Sequence, residues 1–189
     1  MARGIPFSRG TVAAIVVARG MTPELRSLLD ALDKQSRLPD QLIVCDVRAP
    51  RTSPLSSGQV IVAEDLPEGA LLFSAGRTRN LSDTLAKLAK DKECGQSLQD
   101  HDWLWVLHDD CEPSPNCLEE QLKAAGQGPS IAAVTPKLFR PDGTLCELGI
   151  HATSSGRRVP EVFDGEIDQG QYDGTSDVLA GGSAGLLVL

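Results

Sequence analysis

Aromatic residues are scarce: two Trp, one Tyr and four Phe in 189 residues, too few for stacking on nucleobases to be a widespread mode of recognition. Positive charge is also in deficit, with 18 Lys and Arg against 26 Asp and Glu and a net charge of −8. The deficit lies downstream: residues 1–40 carry six basic and four acidic side chains, whereas 41–189 carry twelve and twenty-two. Sequence-independent binding to nucleic-acid backbones, which needs clustered cations, is disfavoured, and no nucleic-acid partner is expected. The apolar run nearest the start, residues 12–18, is far short of the roughly 20 residues that span a bilayer. Any membrane association is therefore expected from segments outside these residues. The five cysteines (Cys45, Cys94, Cys111, Cys117, Cys146) form an odd, scattered set without a C-x-x-C pair or a preceding secretory signal. That pattern suits a reducing, cytoplasmic compartment better than a disulfide framework.

What remains is an ordinary globular composition, 41% hydrophobic and 23% charged, enough for one core and too short for two full domains. Residues 1–10 are polar and glycine-containing, and disorder is expected there. VAAIVVA at 12–18 is continuously apolar, as in a strand buried on both faces of a parallel sheet. Thr22-Pro23-Glu24 is a helix start, and Leu25, Leu28, Leu29 and Leu32 then recur on one helical face. QLIVCD at 41–46 is a second strand ending on a carboxylate, which completes a βαβ unit.

Further along, residues 60–63 suit a short third strand and Leu81, Leu85, Leu88 and Ala89 a helix running to about Lys92. Residues 91–102 read as a polar surface connection, and WLWVL at 103–107 as the next buried strand, ending in His108-Asp109-Asp110. A helix follows Ser114-Pro115, with Leu118, Leu122 and Ala125 on one face, and Pro141-Asp142-Gly143 turns between two short strands. Residues 161–177 hold six acids, no base and three glycines, a loop over or beside the site. The apolar stretch 178–189 reads as a strand cut off without a polar exit, so the natural protein is expected to continue. Residues 11–189 then form a single α/β domain lacking its C-terminal part.

In an open α/β sheet, ligands bind outside the carboxyl ends of strands. Three such ends carry polar groups here: Ala18-Arg19-Gly20, Asp46 and His108-Asp109-Asp110. Two adjacent carboxylates resist joint ionisation unless compensated. Oxygen-only ligands favour Mg²⁺ or Mn²⁺, which share their shell with substrate phosphates. The competing patterns are weaker. Gly181-Gly182-Ser183-Ala184-Gly185 fits the G-x-S-x-G nucleophile elbow but leaves no room for the helix, acid and histidine that must follow. His101, His108, Cys111 and Cys117 match no zinc spacing, and no G-x-G-x-x-G follows the first strand.

VAAIVVARGMTPELRSLLDALDKQSRLPDQLIVCD resembles the opening of family 2 glycosyltransferases of the GT-A fold. DWLWVLHDDCEPSPNCL resembles their D-x-D region and IAAVTPKLF the strand after it. HDWLWVLHDD, GEIDQGQYD and DVLAGGSAGLLVL in this order are similar to large actinobacterial glycosyltransferases whose catalytic domain precedes membrane-spanning segments. The resemblance spans roughly 11–189 and implies a Rossmann-like, mostly parallel sheet with helices on both faces. It implies transfer of a sugar from a nucleotide-diphosphate donor to a hydroxyl on a glycan or lipid-linked acceptor, by inversion, with Mn²⁺ or Mg²⁺. The setting implied is the cytoplasmic face of the cell membrane.

By position, the resemblance implies that Ala18, Asp46, Arg77, Arg79 and Asp109 contact the nucleotide. Asp110, supported by Asp109, would ligate the metal, and Gly181, Gly182 and Ser183 would line the donor sugar. His108 stands in the place of the first acid of D-x-D, and Ala18-Arg19-Gly20 replaces a Thr-Tyr-Asn-like triplet. The family's general base is expected beyond Leu189, so this chain should bind donor better than it turns it over. The alternative is a non-catalytic nucleotide-binding or scaffolding domain of the same fold.

Overall fold

The computed structural model describes residues 10–48, 59–76, 78–160, 162–174 and 177–189. The expectation of disorder for residues 1–10 lies, apart from Gly10, outside them. Gly10 is buried against Trp103, whose Cδ1 would stand 2.8 Å from any added Cβ.

Strand β1 (Val12–Ala18) is the centre of the molecule. Its apolar residues point to both faces, so it must be covered on both, and it pairs in parallel with β2 (Gln41–Asp46) on one side and β4 (Trp103–His108) on the other. Helix α1 (Pro23–Asp33) connects β1 to β2. Thr22 caps it by accepting from the Leu25 amide at 3.2 Å, and Pro23 opens it without wasting a donor.

The sheet continues outward through β3 (Leu71–Ser74), parallel to β2. On the opposite side β10 (Leu186–Val188) runs antiparallel to β4 and to β5 (Ala133–Val134), giving the order β3-β2-β1-β4-β10-β5. Val12, Ala14, Val16, Trp103, Trp105 and Leu107 pack under α1 and under α4 (Cys117–Ala125). Ile15, Ile43 and Cys45 on the other face meet Leu88 of α2 (Leu81–Leu88) and Cys94 of α3 (Lys92–Gln99). Two small hairpins, β6 (Leu138–Phe139) with β7 (Leu145–Glu147) and β8 (Ile150–Ala152) with β9 (Arg158–Pro160), lie between β5 and β10 in sequence. No helix among the described residues is long and apolar enough to cross a membrane.

The expected α/β class, mostly parallel sheet and two-sided helical cover are present. Three local expectations are corrected. Residues 60–63 do not form the third strand: Ile61 is buried, but Val60 and Val62 on either side are 46% and 41% exposed, and the chain turns into one 3₁₀ turn at Ala63–Asp65. The third strand is LLFS at 71–74, which follows the turn at Pro67 and Gly69. Residues 92–99, expected as a connection, are helix α3 because Asp91 accepts from the amides of Glu93 and Cys94 at 3.1 and 2.9 Å, and Cys94 with Leu98 faces the core. Gly95 allows α3 to follow α2 so closely, since a Cβ there would sit 2.6 Å from the Ala89 carbonyl oxygen. Within 178–189, only Leu186–Val188 is strand; Leu179 is 72% exposed.

Gln35, buried just past α1, donates to the Ser114 carbonyl at 2.7 Å and accepts from the Leu118 amide at 3.2 Å. Both ends of the amide are thereby satisfied, and the start of α4 is tied to the end of α1. The segment 109–116 between β4 and α4 is held at its far end by this contact.

This packing sets the cost of a core deletion and the order in which the thiols react. Leu28→Ala, at a fully buried position of α1, should lower unfolding free energy by about 2–5 kcal/mol in a urea titration. Burial pushes the Cys45 thiol up to about 12 and that of Cys117 to about 11, whereas Cys146 is exposed. With iodoacetamide at pH 8, where a thiol of pKa 12 is thiolate in roughly one molecule in ten thousand, Cys146 should be alkylated first and Cys45 only on unfolding. Mass spectrometry of the time course checks the order.

Candidate active site at the strand ends

The parallel register brings Ala18 level with Asp46, Asp46 level with Ser74, and Val17 level with His108. The carboxyl ends of four adjoining strands therefore finish at one height. Backbone bonds continue the ladder past the strands: Val47 N–H donates to Ala18 O at 2.9 Å, Asp109 N–H to Val17 O at 3.1 Å and Ala75 N–H to Asp46 O at 3.0 Å. The loops that leave the sheet are thus fixed at their roots.

A cavity of about 240 Å³ at these ends is lined by Val17, Arg19 and Val47, by Thr78, Arg79 and Asn80 ahead of α2, and by His108, Asp109 and Asp110. The hydroxyl of Thr84, buried in α2, lies 3.0 Å from the Thr78 hydroxyl and 3.2 Å from the Asn80 carbonyl oxygen, which holds that wall in place. Asn80 is also the cap of α2, accepting from the Asp83 amide at 2.9 Å. Of the two arginines expected here, Arg79 lines the cavity; Arg77 lies outside the described residues.

The three expected carboxylates differ in environment. Asp109 accepts from the Arg19 amide at 2.9 Å, so the loop after β1 is clipped to the end of β4. Asp110 is exposed at the cavity edge. Asp46 is 5% exposed and engaged by Arg48, whose Nε stands 2.9 and 2.8 Å from its two oxygens and whose Nη2 stands 2.6 Å from Oδ2. Its neighbour Val47, rather than the Asp46 carboxylate, lines the 240 Å³ space. Arg48 carries no signal in the sequence, being one of two arginines in the segment after β2 with nothing local to mark it as the partner of Asp46.

The segment 181–185 reaches the same end of the sheet. Gly185 N–H donates to Val106 O at 2.9 Å, and Ser183 Oγ is 2.8 Å from His108 Nε2. Gly182 N–H donates to Glu147 Oε1 at 2.7 Å, and Glu147 is paired at 3.0 Å with Arg158. Gly181 packs on Thr135, whose Cβ would be 2.7 Å from an added Cβ, so a larger residue there would displace the segment. Glu147 is equally silent in the sequence, since nothing local marks a hairpin carboxylate as the partner of a residue 35 positions away.

A larger cavity, about 810 Å³, runs along the outer edge of β5 and is lined by residues 130–137 together with Tyr172, Asp177 and Val178. It contains none of Asp46, Asp109 and Asp110. The acidic loop lies beside this cavity, secured by Lys137, which bonds Asp168 at 2.8 Å and Asp173 at 2.5 Å. The bond from Lys137 holds the Asp168 carboxyl below its ordinary range, and the Asp168 bond in turn raises Lys137.

Among the described residues no group of three or more His, Cys, Asp and Glu side chains is placed to hold a metal ion. Asp109 and Asp110 are a pair of hard oxygen donors, one oriented by a backbone amide and one open to the cavity. Such a pair fits a Mg²⁺- or Mn²⁺-type ion that draws its remaining ligands from phosphate and water. The zinc alternative fails on position: His101 precedes β4, bonded at 2.6 Å to Ser97 O, while His108 is at the other end of that strand. The nucleophile-elbow alternative fails as well, since Ser183 is followed by a strand and not by a helix.

Comparison with known proteins identifies the family. The family model described as Glycosyl transferase family 2 matches residues 87–186. Galactofuranosyltransferase GlfT1 of Mycobacterium tuberculosis is 32% identical over 136 residues, covering 70% of this chain and 41% of the relative. The chain thus spans about two fifths of the length of that curated relative. Among solved structures, mannosyltransferase PcManGT from Pyrobaculum calidifontis, in complex with GDP-Man and Mn²⁺, is 20% identical with a TM-score of 0.45, covering 71% of this chain and 37% of that one. Glucosyl-3-phosphoglycerate synthase from Mycobacterium tuberculosis, in complex with UDP, is 16% identical with a TM-score of 0.37, covering 69% and 45%. With the family model matching more than half of its residues, the chain, an α/β fold whose mostly parallel sheet is covered on both faces, belongs to glycosyl transferase family 2.

Proposed function

We propose that this domain binds a nucleotide-diphosphate sugar at the carboxyl ends of β1, β2 and β4 and transfers the sugar, with inversion, to a hydroxyl of a glycan or lipid-linked acceptor. The observation that carries the reading is the meeting of Asp109, Asp110, Arg79 and the Arg19 amide around one cavity at the strand ends, in a chain of this family. The curated relative supports it by its name, which is that of a galactofuranosyltransferase.

The roles are those that the family resemblance implies, set against the chemistry of each group. Ala18, expected as a nucleotide contact, is fully buried at the end of β1 and does not line the cavity, so Val17 and Arg19 face the nucleotide there, and Asp109 offers its carboxylate to the ribose or to the ion. Asp46, buried and paired with Arg48, supports the nucleoside side indirectly through its neighbour Val47, which lines the cavity. Arg77 and Arg79, ahead of α2, supply positive charge toward the diphosphate. Asp110, with Asp109, would hold a Mn²⁺ or Mg²⁺ ion, which when bound would offset negative charge on the diphosphate. Gly181, Gly182 and Ser183 line the sugar, glycine allowing close approach.

In the transfer, the acceptor oxygen forms the new bond to the anomeric carbon as the bond to the diphosphate oxygen breaks, and the electron pair leaves with the nucleoside diphosphate. The acceptor's proton goes to a base that we assign to none of the described residues. The domain's setting is the cytoplasmic face of the cell membrane, in the construction of cell-envelope glycans.

Thermal unfolding tests the donor site. UDP, GDP or dTDP should raise the Tm only with Mn²⁺ or Mg²⁺ present, by several degrees at a hundredfold excess over Kd, which corresponds to about 2.7 kcal/mol. Asp110→Ala, a change at an exposed position, should leave the Tm of the free protein within a degree or so and remove the metal-dependent increment. An equal shift in excess chelator would contradict the metal's role. Binding of donor without any transfer or donor hydrolysis would favour the non-catalytic reading.

A further inference from the structure

We propose that His108 is a positioning residue for the sugar side of this site: through Ser183 it latches the segment entering β10 onto the end of the strand that carries Asp109 and Asp110. The inference rests on the reading of Gly181, Gly182 and Ser183 as the lining of the donor sugar, and it gives a task to the one side chain that departs from the acidic pattern at that strand end.

β10 is antiparallel to β4, so the residues before it return to the end of β4 where His108 and the two aspartates stand. Three bonds hold the backbone of this returning segment: Gly185 N–H to Val106 O at 2.9 Å, Gln121 Nε2–H to Gly185 O at 2.7 Å and Gly182 N–H to Glu147 Oε1 at 2.7 Å. None of them fixes a side chain of the segment relative to the carboxylates. The bond of 2.8 Å between His108 Nε2 and Ser183 Oγ does so, linking residues 75 positions apart. His108 also forms part of the cavity wall next to Asp109 and Asp110.

A serine hydroxyl has one proton and two acceptor lone pairs, so in either imidazole tautomer Ser183 keeps hydrogen-bonding capacity after meeting His108. The imidazole fixes the χ1 angle of Ser183 and hence the direction in which that remaining capacity points. An acidic side chain in this place would add a third carboxylate to the pair. Histidine instead reaches across to the segment that enters β10, so that the phosphate side of the site and the sugar side are held at one spacing.

The test uses the 189-residue chain as wild type, His108→Ala, His108→Gln, Ser183→Ala and the double alanine variant. Gln is included because its terminal amide can reach Ser183. Calorimetric titration in Mn²⁺ compares UDP with UDP-galactose and GDP with GDP-mannose, and hydrogen exchange follows the amides of residues 181–186 without ligand. His108→Ala and Ser183→Ala should each speed exchange in 181–186 by about fivefold, as expected for loss of one ordinary hydrogen bond. Each should weaken binding of the preferred nucleotide sugar by about fivefold while leaving the matching nucleoside diphosphate within about twofold. The double variant should be no worse than either single, and His108→Gln should recover most of the loss.

Unchanged exchange in both single variants overturns the latch, whether or not any nucleotide binds. Equal loss of affinity for nucleoside diphosphate and nucleotide sugar, or additive losses in the double variant, overturns its role on the sugar side. If the wild-type chain binds none of the four nucleotides, the donor-site reading and with it the sugar-side role fail, and the exchange measurement still decides whether the latch exists.

Discussion

The parallel pairing of β1 with β2 and β4 is the constraint on which the rest depends. β1 is apolar on both faces and sits between two strands whose ends match its own, Ala18 with Asp46 and Val17 with His108. Because its side chains alternate between two separate apolar clusters, a slip of one residue would exchange every side chain between the faces. Burial on both sides therefore locks the register, and the register sets the height at which Asp46, Asp109 and Asp110 emerge. The chemistry of the site is in this sense a consequence of where valine, isoleucine and tryptophan must go.

Around that core, polar contacts do specific positional work. Gln35 fastens α1 to the start of α4, Asp109 clips the loop after β1, and His108 reaches Ser183 across from β4 to the β10 side. The carboxylates are thereby treated differently: Asp46 is enclosed and neutralised by Arg48, Asp109 is half used by a backbone amide, and Asp110 is left open to the cavity. An exposed carboxylate beside a fixed one is the donor set expected when substrate phosphates complete the shell of a hard cation.

Much of this arrangement is legible in the amino-acid sequence alone. The run at 12–18, the Thr22-Pro23 start and the apolar QLIVCD segment identify the first βαβ unit because each depends on local pattern. WLWVL followed by His108-Asp109-Asp110 is legible for the same reason. Helix α3 is obscured by its composition: among polar residues its Asp91 cap and the Cys94 and Leu98 pair are a faint signal. The position of β3 is masked because the residues around Ile61 have strand-like character but only Ile61 is buried, a distinction that tertiary packing makes and sequence does not. Within the site, the partners that are not legible are those that join distant positions: Arg19 with Asp109, Glu147 with Gly182 and His108 with Ser183. Asp46 and Arg48 are close in sequence, yet whether an arginine two residues on folds back or extends is decided by the surrounding burial.

The central claim is that the strand ends, and not the larger cavity beside β5, hold a divalent cation together with a diphosphate. Anomalous diffraction from a crystal grown with Mn²⁺ and a nucleoside diphosphate tests it most directly. The account predicts a manganese peak in direct contact with an Asp110 carboxylate oxygen and with diphosphate oxygens, above the ends of β1 and β4. A nucleotide seated along the edge of β5, or a diphosphate at the strand ends with the metal bound elsewhere, would contradict it.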